Sequence, residues 1–175
     1  MSRATRRPRA AKKPKASRRS SRTPRRTRAA VGFEGVTPVL RVRSLAASLR
    51  HYIVVLGFKQ DWGDADSGFA SVSRDRCHLF LAQGDQGHPG SWVWIGVTDV
   101  EKLHAEYRRR GAKIRHPPTN YFWALEMQVE DPDGNVLRMG SEPREGEPDG
   151  EWLDMERRRW VRDGENGRWT RLGRG

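Results

Sequence analysis

The chain has 175 residues and a formal net charge of +12, a length that fits one domain with tails. The charge is local: residues 1 to 30 hold 13 Lys or Arg and no Asp or Glu, leaving 21 basic against 22 acidic side chains in the remainder. There is no run of roughly 18 apolar residues and no apolar signal segment, and Cys77 alone excludes an internal disulfide, so a cytoplasmic protein without membrane contact is expected.

Residues 1–33 form the first segment. The first thirty contain no Leu, Ile, Val, Phe, Trp or Tyr, so burial cannot offset the entropy of ordering them, and a disordered basic arm is expected. Lys and Arg displace counterions from phosphate without reading sequence, which gives the arm a weak, non-specific affinity for nucleic acid. A solvated extension and an Arg- and Ser-rich transit peptide are the competing readings.

Residues 34–142 repeat themselves once. Val42, Leu45 and Tyr52 return as Val97, Val100 and Tyr107, each 55 positions on. Both copies read strand, short turn, helix, glycine, followed by segments that alternate or turn. In Asp131-Pro132-Asp133-Gly134 the proline fixes φ and the glycine accepts a positive φ, which predicts a hairpin between two apolar strands. Two βαβββ modules follow, at about 36–84 and 91–142, and the fold class is α+β. Residues 143–175 open as a Pro/Gly/Glu linker and become rich in Trp and Arg. RRRWVRDGENGRWTRL is predicted to be a small hairpin, with Trp152, Trp160 and Trp169 available to cover an apolar patch or, alternatively, to stack on bases.

The strings VTPVLRVRSLAASL, LGFKQDW, FASVSRDRCHLFLAQ, WVWIGVTDVEKLHAEY and FWALEMQVEDPDGN resemble, in order and spacing, the vicinal-oxygen-chelate superfamily of glyoxalases, extradiol dioxygenases and bleomycin-resistance proteins. The nearest resemblance is to the bleomycin-resistance family. It implies two modules curled into a curved mixed sheet around a cleft, and a homodimer with drug grooves between subunits. It also gives Pro38 a place where the first strand crosses to the partner; a proline at a strand start is common in any case.

In metal-dependent members of that superfamily His or Glu side chains hold a divalent ion. The resemblance puts Thr37, Phe80 or a close neighbour, Trp92 and Arg138 at those positions, and none is a competent ligand: Arg is a permanent cation and Trp has no available lone pair. No metal or other cofactor is therefore expected. His51 and His104 fall on helices whose outer faces meet solvent, His88 and His116 beside prolines in loops, and His78 in a strand. None has helical metal-site spacing or a partner carboxylate, Ser or Cys at motif spacing, which leaves His78 as the sole acid/base candidate.

The aromatic residues carry the remaining signal. Alternation along WVWIGV puts Trp92 and Trp94 on one face and Val93, Ile95 and Val97 on the other. By the resemblance, Trp62, Phe69, Trp92 and Trp123 line the drug groove, Trp94 shares the wall of Trp92, and Arg138 lies in the cleft. Core or dimer packing is the plainer role for each ring. Asp61, Asp64 and Asp66 give an acidic cluster near Trp62, or a solvated turn. The expectation is a homodimeric binder that sequesters a planar, bleomycin-type antibiotic or similar aromatic molecule without catalysis. The alternatives are a metal-dependent lyase or dioxygenase, or a DNA-associated binding module.

Overall fold

The computed structural model describes residues 35–164 and 166–173; the basic arm expected at 1–33 lies outside them. The first module runs β1 (Val39–Val42), α1 (Leu45–Arg50), β2 (Lys59–Asp64), β3 (Phe69–Arg74) and β4 (Cys77–Gln83), with α1 prolonged by a π-helical turn at His51–Val55. The second runs β5 (Trp92–Gly96), α2 (Val100–Arg109), β6 (Lys113–Tyr121), β7 (Ala124–Glu130) and β8 (Val136–Ser141). Among the described residues no helix is long and apolar enough to cross a membrane.

Each helix starts on a side-chain cap that satisfies an amide the helix cannot pair. Ser44 Oγ accepts from Ala47 N, and Asp99 Oδ1 from Lys102 N at 2.9 Å. Each helical segment is followed by a glycine at φ +73°, Gly57 and Gly111, a conformation that a Cβ makes costly. The strands form two four-stranded mixed sheets of matching order, β1-β4-β3-β2 and β5-β8-β7-β6. In each, the first strand runs parallel to the last strand of its own module.

One face of each sheet packs into a shared core with the helices. Leu40, Val72, Leu79 and Leu81 come from the first sheet, Met127, Val129, Leu137 and Met139 from the second, and Leu45, Tyr52, Val100 and Tyr107 from the helical segments. The repeat extends to the polar tips of its tyrosines. Tyr52 OH donates to Asp131 Oδ2 (3.1 Å) in the second module, and Tyr107 OH donates to the Leu56 carbonyl (3.1 Å) in the first. Asp131 opens the predicted Asp-Pro-Asp-Gly turn, where Gly134 has φ +84°; its carboxylate also accepts from the amides of Asp133 and Asn135.

Three placements differ from expectation. Pro38, expected at the start of the first strand, precedes β1 together with Thr37. His116, expected in a loop, belongs to β6, whose register slips between Ile114 and His116 and again between His116 and Thr119. Those irregularities accommodate Pro117 and Pro118, which cannot donate to a regular ladder. His51 is half-buried rather than outward, and its Nε2 has no hydrogen-bond partner among the described residues; burial lowers its pKa.

After β8 the chain builds a third, three-stranded sheet from β9 (Trp152–Leu153), β10 (Arg159–Arg162) and β11 (Trp169–Arg171), in the order β11-β10-β9. The predicted Trp/Arg hairpin is β10–β11, closed by Asp163 N to Arg168 O (2.9 Å) and Gly167 N to Asp163 O (2.8 Å); β9 adds a strand that the sequence did not announce.

Candidate functional site

The faces turned away from the core differ between modules. On the first sheet Trp62, Phe69 and Phe80 touch one another, with ring centroids 5.3 to 5.8 Å apart, and Trp62 remains half exposed. A bulge between Gln60 and Trp62 lets Asp61 share this side of the sheet. Its carboxylate accepts from Ser73 Oγ (2.7 Å) and Ser71 Oγ (3.2 Å) and lies 3.6 Å from His78 Nδ1.

His78 thus has the partner carboxylate that its sequence context hid. Both hydroxyls, however, donate to Asp61, and these bonds hold the Asp61 carboxyl below its ordinary pKa. The group reads as a satisfied carboxylate rather than a nucleophile–base pair. Asp64 caps the next turn by accepting from Ser67 N (2.8 Å), so Asp61 and Asp64 are committed to separate local networks rather than to one acidic patch.

On the second sheet Trp92 and Trp94 share the outward face, as alternation requires, and pair in register with Val136 and Arg138. At its centre is Glu126, 1 % exposed. Its carboxylate receives Arg138 Nε (2.8 Å) and Nη2 (2.9 Å) as a two-point clamp, and Oε2 also accepts from Trp94 Nε1 (3.1 Å) and Trp123 Nε1 (3.2 Å). One buried carboxylate thereby neutralises the arginine and fixes the edges of two indoles. Trp94 lies across Gly96 and Gly140; a Cβ at Gly140 would meet Trp94 Cζ2 at 3.1 Å. Trp123, in the β6–β7 turn, stacks on Tyr121 at 4.7 Å with planes 8° apart.

The C-terminal sheet covers this face. Trp160 pairs with Trp152 across β9–β10, and Arg162 with Trp169 across β10–β11, so the three tryptophans point the same way. Backbone carbonyls hold the sheet down: Glu151 O accepts from Tyr121 OH (2.8 Å), Leu153 O from Gln128 Nε2 (2.9 Å), and Asp154 O and Met155 O from Arg115 Nη2. Inside the segment, Asp154 accepts from Trp160 Nε1 (2.9 Å) and Arg158 Nε (2.7 Å). Burial pushes the Asp154 carboxyl up, but these bonds outweigh it and hold the pKa at about 2.

Between sheet and cover lies a cavity of about 680 Å³ lined by Trp94, Trp123, Arg138, Trp152, Trp160 and Trp169. Trp169 faces Trp123 at 5.9 Å and Trp152 at 6.4 Å. Of the six residues proposed from sequence, this cavity gathers Trp94, Trp123 and Arg138. Trp92 lies behind it, between Trp152 (6.2 Å) and the Arg115 guanidinium (5.0 Å), and Trp62 and Phe69 belong to the cluster on the other sheet. Arg138 faces the cavity with its charge already matched by Glu126. Sequence reasoning missed Glu126, although its alternation with Leu125 and Met127 in an otherwise buried strand marked it as a polar residue in need of partners.

Among the described residues no group of three or more His, Cys, Asp or Glu side chains is placed to hold a metal ion. Of the residues that the resemblance aligns with metal ligands, Thr37 precedes β1, Arg138 donates to the Glu126 carboxylate, and Trp92 and Phe80 carry no donor lone pair.

No curated protein matches this chain. Solved structures do. The bleomycin-binding protein of bleomycin-producing Streptomyces verticillus, complexed with copper(II)-bleomycin, is 28 % identical with TM-score 0.56, covering 64 % of this chain and 98 % of that one. The antibiotic-binding protein TnmS3 of a Streptomyces species is 21 % identical (TM-score 0.56, 66 % and 100 % covered). A glyoxalase/bleomycin resistance protein/dioxygenase from Nocardioides is 20 % identical (TM-score 0.52, 69 % and 91 %). With two βαβββ modules in place and the family model matched over residues 35–139, the chain belongs to the Glyoxalase/Bleomycin resistance protein/Dioxygenase superfamily.

Proposed function

We propose that this protein binds and sequesters a planar, bleomycin-type antibiotic or a similar aromatic molecule without catalysing its conversion. The observation that carries the reading is the indole-lined cavity over Glu126 and Arg138. Its volume of about 680 Å³ suits a drug-sized guest. Rigid indoles bind flat rings at low entropic cost, and the likeness to a protein complexed with copper(II)-bleomycin points to the same ligand class. Trp94, Trp123 and Arg138 form the floor, and Trp92 backs it.

Trp62 and Phe69 enter the reading through a homodimer, in which a second copy brings its open aromatic face to the site. The basic arm adds weak, sequence-independent attraction to nucleic acid. The test is tryptophan quenching on titration with metal-free and copper(II)-loaded bleomycin, followed by recovery of the drug. Saturable quenching with unaltered drug supports sequestration; chemical change of the drug, or neither quenching nor a thermal shift, overturns it. Light scattering decides the dimer separately.

A further inference from the structure

The three tryptophans of the C-terminal sheet stand outside the family match, which ends at residue 139, and nothing in the repeat calls for them. We infer that this sheet is a ligand-binding wall, so that the cleft between it and the second sheet takes a flat aromatic guest, neutral or cationic in preference to anionic. The inference rests on the binding reading above and extends it to residues beyond the superfamily's own modules.

Three features support it. First, Trp152, Trp160 and Trp169 share the sheet face that borders the cavity; Trp169 touches Trp123 and Trp152 touches Trp92, and a space of about 680 Å³ remains beside these contacts, the size of a small-molecule site. Second, the sheet is seated by bonds from Tyr121, Gln128 and Arg115 to its backbone and not by its rings alone, and Trp152 Nε1 is buried with no acceptor among the described residues. Third, the lining carries no net charge among the described residues: Arg138 is its one charged side chain, and Glu126 neutralises it at two points. Indole faces present negative quadrupoles, so cations and neutral rings are favoured over anions.

The experiment uses the full chain and three dyes of similar size: proflavine (cationic), N-phenyl-1-naphthylamine (neutral) and 1-anilinonaphthalene-8-sulfonate (anionic), with bleomycin as a fourth probe. Trp169→Ala and Trp152→Leu are compared with the parent after circular dichroism and urea unfolding show each folded. Trp169→Ala serves if Trp152→Leu fails to fold, because Trp169 lies on the edge strand β11. The parent is expected to bind proflavine and the neutral dye at one per chain and the anionic dye at least about tenfold more weakly. Either variant is expected to lose about tenfold or more in affinity, the scale of one stacked ring.

Unchanged affinity in a folded Trp169→Ala chain would overturn the wall, even with bleomycin bound as before. Preference for the anionic dye would overturn the ligand class. Loss of dye binding in the variants, with no bleomycin binding by the parent, keeps the wall and removes the antibiotic reading instead.

Discussion

The two modules repeat one unit, yet their outward faces have opposite fates. The first leaves Trp62, Phe69 and Phe80 open beside a carboxylate satisfied by serines. The second seats two indoles on a buried carboxylate and is roofed by a segment from outside the repeat. A shared backbone plan therefore does not assign the same role to matching faces; the polar residue at the centre does. Glu126 is 1 % exposed and clamps an arginine, whereas the Asp61 side chain keeps 21 % of its surface in solvent, where its bonds compete with water.

The largest effect that would sharpen this contrast is on stability. Glu126→Ala leaves the Arg138 guanidinium and two indole N–H groups without an acceptor, and urea unfolding should show a loss of about 3–5 kcal/mol. Asp61→Ala on the open face should cost markedly less, because its bonds are exchanged for water. Equal losses would erase the distinction. On binding, Trp123→Ala should weaken the ligand by about 1–3 kcal/mol in a folded protein. Trp62→Ala should cost less, and a comparable loss would mean that both faces meet the ligand.

A smaller, pH-dependent effect belongs to the roof. The Asp154 pKa is depressed to about 2 from the ordinary 3.8, so its contribution is fully present above pH 3.8 and drains away as pH falls toward 2. Tryptophan fluorescence should report loosening of the C-terminal sheet in that window, and Asp154→Asn should abolish the pH dependence. Smallest of all should be the effect of deleting residues 1–33 on the fold. Thermal stability should be unchanged, while steeply salt-sensitive binding to duplex DNA disappears; DNA retained at physiological salt would move the positive surface to the Arg-rich C-terminal sheet.

The modules were legible because the pattern that builds them is local. Val42 and Val97, Tyr52 and Tyr107, and the Asp-Pro-Asp-Gly turn each announce their element through spacing or backbone chemistry. The alternation of Trp92 with Val93 correctly assigned their faces. What stayed hidden depended on register and distant partners. The bulge that turns Asp61 toward His78, and the slips that take His116 and its prolines into β6, have no short-range signature. The target of the C-terminal tryptophans was equally illegible, since β9 is two residues long and the sheet is seated through carbonyls that every residue possesses. Composition suggested that those rings would cover something, and only the pairing of Trp152 with Trp160 shows a cavity wall.

The crossed tyrosine bonds have a further consequence. Each module's tyrosine ends its hydroxyl in the other module, Tyr52 on Asp131 and Tyr107 on the Leu56 carbonyl, and both rings sit in the one core. Neither half can then open without stranding a buried hydroxyl and exposing the other's aromatic ring. The duplication, which in sequence looks like two autonomous pieces, should behave as a single cooperative unit, melting in one transition whose calorimetric and van't Hoff enthalpies agree.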